Sequence, residues 1–188
     1  MRKLIAFDSI SLDGFFTDAR GDMSWAHAGS DDPEFAAFVA GNAGSGGELL
    51  FGRLTYQMMA SYWPSPAALA NAPEVARGMN AVPKVVFSRT LPRAEWQNTR
   101  LVKDDLVGAV RQLKAGEGAD LVILGSGTII AQLTEARLID EYRLVVCPVV
   151  VGAGRTIFGG NRLGLRLTHS RAFKNGKVLL HYQPQAAS

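Results

Sequence analysis

Apolar residues fall in short bounded runs along this chain, and their period changes from one run to the next. Glu48 to Phe51, Pro83 to Phe87 and Leu121 to Leu124 are apolar runs too short for helices, which reads as buried strands. Arg2 to Leu12 is a longer strand-like run stopped by the turn-favouring pair Asp13-Gly14, and Leu144 to Val151 is almost continuously apolar. Helical spacing appears between these runs. Phe35, Phe38 and Val39 share a face after the capped start Asp31-Asp32-Pro33-Glu34, and a helical segment follows Gly52-Arg53-Leu54-Thr55-Tyr56 and runs to about Tyr62. Ala67 to Asn80 reads as a helical connection over the surface, and Asn98 to Val102 as a further short strand. Leu106, Val110 and Leu113 mark an amphipathic helix ended by Gly116 and Gly118. Ile129, Ile130 and Leu133 mark another, which Ser126 or Thr128 can cap. Leu163 to Phe173 and Val178 to Tyr182 alternate around Asn175-Gly176, a hairpin signal. Phe15 to Trp25 has no period and reads as a mobile loop. The pattern predicts an α/β protein with a mostly parallel sheet, closed by an antiparallel C-terminal hairpin.

Composition narrows the class. A chain of 188 residues that is 47% hydrophobic has the size of one domain with a sizeable core. The net charge is +3, but the basic residues are scattered and no aromatics interleave with them, which argues against nucleic acid as a partner. Cys147 is the single cysteine, so no internal disulfide forms, and an intracellular, cytoplasmic protein is expected. Asp8 and Asp13 interrupt the apolar start where a signal peptide would need continuity, and no run approaches the roughly 20 residues of a membrane span. His27, His169 and His181 lack metal-ligand spacing, so no metal site is expected.

The candidate chemistry sits at three strand ends, in the order Gly52-Arg53-Leu54-Thr55, Ser88-Arg89-Thr90 and Gly125-Ser126-Gly127-Thr128. A strand that turns through glycine into a helix presents free N–H groups and a positive dipole end, which suits phosphate. Arginine adds a planar multi-donor fork, and serine and threonine add hydroxyls. In a parallel α/β sheet the carboxyl ends of the strands border one crevice, so all three turns can meet a single dinucleotide.

These motifs, together with Ser11-Leu12-Asp13-Gly14, Leu138-Ile139-Asp140-Glu141-Tyr142 and the Gly-x-Gly before Phe158, resemble the dihydrofolate reductase superfamily. The likeness is strongest to the reductase domain of riboflavin-biosynthesis deaminase-reductases. It implies a three-layer αβα fold and an NADPH-dependent reductase that passes hydride to a small pterin-, pyrimidine- or flavin-like substrate. It assigns Gly52, Arg53, Thr55, Gly125, Ser126, Gly127 and Thr128 to cofactor phosphates, and Ser88, Arg89 and Thr90 to the 2′-phosphate that separates NADPH from NADH. Asp13, near the nicotinamide, is the candidate catalytic residue. Trp25, Phe35, Tyr56 and Trp63 are candidates for the substrate wall, since aromatic faces suit a planar ring. A homodimer through the Leu144 to Val151 region is also expected. Two departures matter: Phe7 stands where the bifunctional enzymes carry lysine, and no residue of the 31–39 segment maps onto the buried carboxylate of dihydrofolate reductases. A non-catalytic nucleotide- or pterin-binding protein on the same fold is the alternative.

Overall fold

The structure is a computed structural model that describes residues 1–29 and 31–185. In chain order its strands are β1 (Leu4–Ser11), β2 (Thr17–Asp18), β3 (Glu48–Gly52), β4 (Lys84–Phe87), β5 (Thr99–Val102), β6 (Leu121–Leu124), β7 (Glu141–Cys147), β8 (Gly154–Arg155), β9 (Leu165–Ala172) and β10 (Val178–Pro184). Its helices are α1 (Pro33–Ala43), α2 (Arg53–Tyr62), α3 (Pro66–Asn71), α4 (Pro73–Ala81), α5 (Leu106–Ala115) and α6 (Gly127–Glu135), with a 3-10 turn at Ser24–His27. Among the described residues, eight strands make one sheet in the order β5-β4-β3-β6-β1-β7-β10-β9. The strands from β5 to β7 are parallel, while β10 and β9 close the sheet antiparallel.

Alternation along the strands buries apolar side chains on both faces of the sheet. Leu50, Val85 and Ile123 face α5 and α6, where they meet Val110, Ile130 and Leu133. Leu49, Phe51 and Val86 face the opposite layer and meet Tyr56 of α2 and Val75 and Met79 of α4. Covering both faces is what the apolar runs require, and each fully buried Leu or Phe contributes about 1.5–3 kcal/mol relative to exposure. The expected three layers are therefore present.

Two expectations change. The 67–80 segment is not a surface connection: Pro73 starts a new helix, and Ala68, Val75, Ala76 and Met79 are buried. The loop after β1 is pinned rather than free, because Thr17–Asp18 pair antiparallel with Gly154–Arg155. The apolar character of 144–151 has an internal cause as well. Strand β7 lies between β1 and β10, and Leu144, Val145 and Cys147 are buried there, whereas Val150 is exposed. No helix among the described residues is long and apolar enough to cross a membrane.

Candidate active site

The chain runs outward from β3 through β4 to β5, returns to place β6 between β3 and β1, then continues as β7 on the far side of β1. The carboxyl ends of β1, β3 and β6 thus border one crevice, the place where open α/β sheets bind ligands. A cavity of about 950 Å³ opens there. It is large for a small-molecule site, and all three predicted strand-end turns contribute to its wall.

Helices α2 and α6 reach this crevice from opposite faces of the sheet with their amino ends uncapped by any side chain among the described residues. Asp32, Ser65 and Asp105 cap α1, α3 and α5, while α4, away from the cavity, also has no side-chain cap among the described residues. The expected capping by Ser126 or Thr128 does not occur. Instead the Ser126 Oγ accepts the Gly52 backbone N–H at 2.8 Å, tying the two turns together. Gly125 (φ +59°) and Ser126 (φ +65°) both hold left-handed backbone, which costs a serine energy and is a feature that concentrates at functional sites. A Cβ at Gly125 would stand 3.3 Å from the Thr55 methyl, so glycine also permits the two turns to approach. The result is a pair of adjacent helix amino ends, each presenting first-turn N–H groups and a positive dipole end to the cavity.

At the third turn, the Ser88 Oγ accepts the N–H groups of Thr90 (3.3 Å) and Leu91 (3.0 Å) and so shapes the turn. Ser88 and Arg89 line the cavity. Thr90 does not. Arg89 pairs with Asp104 at 3.9 Å, with both side chains mostly exposed, and such a pair contributes little and exchanges readily for a stronger anion. Arg53, Arg20, Lys103 and Arg155 also line the cavity, together with Asp104 and Asp105.

The floor is different in character. Phe16, Ala26, Phe35, Val39 and Val145 line it, and Asp8, 3% exposed, joins the wall from the face of β1 that it shares with Leu4 and Ala6. The Asp8 Oδ1 accepts the Ser9 N–H at 2.8 Å, while its Oδ2 has no partner among the described residues. Burial pushes this carboxyl up to about 7, against a smaller opposing effect of the Ser9 hydrogen bond. Thr17, 7% exposed, also lines the cavity, and its buried Oγ1 has no partner among the described residues. The sequence reading missed both. A signal existed: Asp8 shares the inward face of β1 with Leu4 and Ala6, where a carboxylate breaks the pattern of a buried strand.

Four other predicted residues lie elsewhere. Asp13 is exposed and outside the cavity wall, where it accepts the Ser11 hydroxyl (2.6 Å) and the N–H groups of Gly152 (2.8 Å) and Val151 (3.2 Å). The Ser11 hydroxyl, then these amides, hold its carboxyl below the ordinary range. It is an ionised clasp between two loops and an unsuitable proton donor. Tyr56 is buried against Phe51 and Trp96, and its hydroxyl accepts the Trp96 N–H at 2.9 Å. Trp63 packs on the same cluster, with its Nε1 toward the Met59 sulfur. Trp25 packs beside the Phe35–Phe173 cluster and not on the cavity wall. Phe35 alone of the predicted aromatic wall is at the cavity. The acids at the start of α1 are structural: Asp32 caps the helix, and Glu34 pairs with Arg171 at 2.6 Å. No cluster of metal-binding residues exists among the described residues.

Comparison with known proteins agrees with this architecture. The chain is 27% identical to the uncharacterized protein YyaP of Bacillus subtilis (strain 168) over 183 residues, 96% of this chain and 94% of that one. A protein from Shewanella sp. PV-4 ascribed to riboflavin biosynthesis superposes with a TM-score of 0.70 at 25% identity, covering 98% of this chain and 99% of that chain. Dihydrofolate reductase from Enterococcus faecalis, solved in complex with NADP(H), superposes with a TM-score of 0.65 at 14% identity, covering 98% and 97%, which places this fold in the dihydrofolate reductase-like class. A family model of the RibD C-terminal domain matches residues 2–179, so the chain belongs to the RibD C-terminal domain family.

Proposed function

We propose that the cavity binds NADPH and that the protein is a reductase delivering hydride to a small heterocyclic substrate. The observation that carries this reading is the meeting of the uncapped amino ends of α2 and α6, joined through Gly52 and Ser126. Two helix amino ends that meet beside several arginines suit a pyrophosphate better than a single charged group. Bound there, NADPH would supply a hydride to an acceptor at the apolar floor, while the protein orients both partners and excludes water. Arg53, Ser88 and Arg89 fit the additional 2′-phosphate.

NADPH is accordingly expected to bind more tightly than NADH. Arg53→Ala and Arg89→Ala should each weaken NADPH by about 1–2 kcal/mol, near the lower part of the range for charge-assisted contacts because both side chains are exposed. NADH affinity should change less in at least one of them. Fluorescence titration of both cofactors against the wild type and both variants measures this. Unchanged NADPH affinity in both variants contradicts the placement of the 2′-phosphate.

A further inference from the structure

We propose that Lys177 is a positioning residue of the cavity: from the turn between β9 and β10 its buried ammonium fixes the 3-10 turn and the Phe35 ring, and so sets the shape of the lobe that would seat the acceptor. The last step rests on the reading of the cavity as a reductase site. Lys177 touches no ligand itself and acts through Ala26 and Phe35, both of which line the wall.

On the α1 face of the sheet the cavity is walled by Ala26 and His27 of the 3-10 turn and by Phe35 and Val39 of α1, over Phe7 and Val145. Both pieces of this wall lie outside the sheet. The 3-10 turn is four residues long and has no side-chain cap among the described residues, so its own bonds hold it weakly. A partner distant in sequence holds it instead. The Asn175 Nδ2 donates to the Gly29 carbonyl at 2.9 Å and the Asn175 N–H to the Asp32 Oδ2 at 3.0 Å, while Phe173 meets Phe35 edge to face with ring centroids 5.2 Å apart. Together with the bond from Lys177 to Ala26, these contacts run in opposite order along the two segments, so the hairpin turn braces the stretch from Ala26 to Phe35.

Lys177 is the deepest of these contacts. It is 1% exposed, its Nζ donates to the Ala26 carbonyl at 2.7 Å, and the same nitrogen stands 4.2 Å above the Phe35 ring. Its main chain is fixed as well, because its N–H donates to the Asn175 Oδ1 at 3.1 Å and its carbonyl accepts the Phe173 N–H at 2.9 Å. No carboxylate pairs with the ammonium among the described residues. A lysine is seldom buried on such terms: Lys84, by comparison, has three carbonyls. Methionine would fill the same space without the desolvation cost, so packing alone does not account for a lysine here. What the ammonium adds is direction. A charge-assisted bond fixes the height of Ala26, and the cation over the ring fixes the tilt of Phe35.

Under the proposed function this lobe seats the acceptor ring against the nicotinamide, and a wall displaced by about 1 Å degrades that alignment. The β9–β10 hairpin is thereby part of the site's machinery, although none of residues 165–184 lines the cavity.

The test uses the full chain with NADPH as the probe and compares Lys177→Met with Lys84→Met, which removes an equally buried ammonium that does not line the cavity. In Lys177→Met, amide hydrogen exchange in peptides covering residues 23–29 should quicken about tenfold while β3 and β6 keep their protection within about threefold. In Lys84→Met the 23–29 peptides should keep the wild-type rate, because exchange through a local opening does not follow global stability. NADPH affinity should stay within about threefold in both variants, since neither side chain reaches the amino ends of α2 and α6. The fluorescence of the reduced nicotinamide should rise on binding to the wild type, where the apolar lobe shields it from water. At least half of that rise should be lost in Lys177→Met and none in Lys84→Met. Lys177→Gln, uncharged but still a donor, should fall between the wild type and the methionine variant, and is read alone where the latter does not fold. Unchanged exchange at 23–29, or exchange quickened equally throughout the chain, overturns the proposal. Local loosening with wild-type fluorescence, or a wild-type complex without the rise, overturns it as well. In each of these cases NADPH still binds and the reductase reading stands. Failure of the wild type to bind NADPH removes that reading, and the place of Lys177 in a reductase site with it.

Discussion

Gly127→Val is expected to abolish NADPH binding in a protein that still folds. A Cβ at this position would stand 2.5 Å from Cε1 and 2.6 Å from Cζ of Phe16, whose ring lies over the amino end of α6. The ring must move, and the open space available to it is the cavity it already lines. Valine and the displaced phenyl group would then fill the room through which a phosphate reaches the first-turn N–H groups. Gly127 itself carries no left-handed backbone, since the strain of this turn resides in Gly125 and Ser126, so the structural cost is overpacking alone. That cost is about 1–3 kcal/mol, or roughly 2–12 °C in melting temperature for a chain of this size. Melts with and without NADPH decide between two readings. A destabilised variant that keeps its NADPH-dependent shift makes Gly127 a purely structural turn and moves the pyrophosphate elsewhere.

Lys84→Met should produce the largest loss of stability without touching the cavity. Lys84 is 1% exposed, and its Nζ donates to the carbonyls of Val82 (2.6 Å), Gln97 (3.2 Å) and Asn80 (3.3 Å) while lying 4.5 Å above the Trp96 ring. This one ammonium group fastens the end of α4 and the segment before β5 onto β4. Methionine preserves most of the stem's volume but removes three charge-assisted bonds and strands main-chain acceptors. The expected loss is about 3 kcal/mol, or roughly 6–12 °C. NADPH affinity should stay within twofold. A melting temperature equal to that of the wild type would mean that the desolvation of the ammonium cancels its bonds.

What the sequence made legible was the frame. Apolar runs of strand length, with glycine turns and helical spacing after them, encode an α/β sheet because burial on both faces demands it. The strand-end turns were legible for a related reason: Gly52-Arg53 and Gly125-Ser126-Gly127 are local signals whose position at a carboxyl end follows from the order of elements. Side-chain direction was not legible. Tyr56 follows Thr55 by one helical residue, a rotation of about 100°, so one faces the cavity and the other the core. Asp13 was misplaced because its partners, Val151 and Gly152, are distant in sequence and meet it only in the folded protein. Asp8 was overlooked for the opposite reason. It sits within an apolar strand, where its meaning depends on a cavity that the fold opens beside it. Phe16 likewise acquires its position over Gly127 only after the 17–18 and 154–155 segments pair.

The most direct test of the central claim is the melting temperature of the wild-type protein as a function of NADPH concentration. A ligand present at 100 times its Kd stabilises the folded state by about 2.7 kcal/mol, which for a chain of this length is roughly 5–10 °C. A rise of that order is expected at millimolar NADPH, with a smaller rise for NADH at the same concentration. No NADPH-dependent change at millimolar cofactor would contradict it.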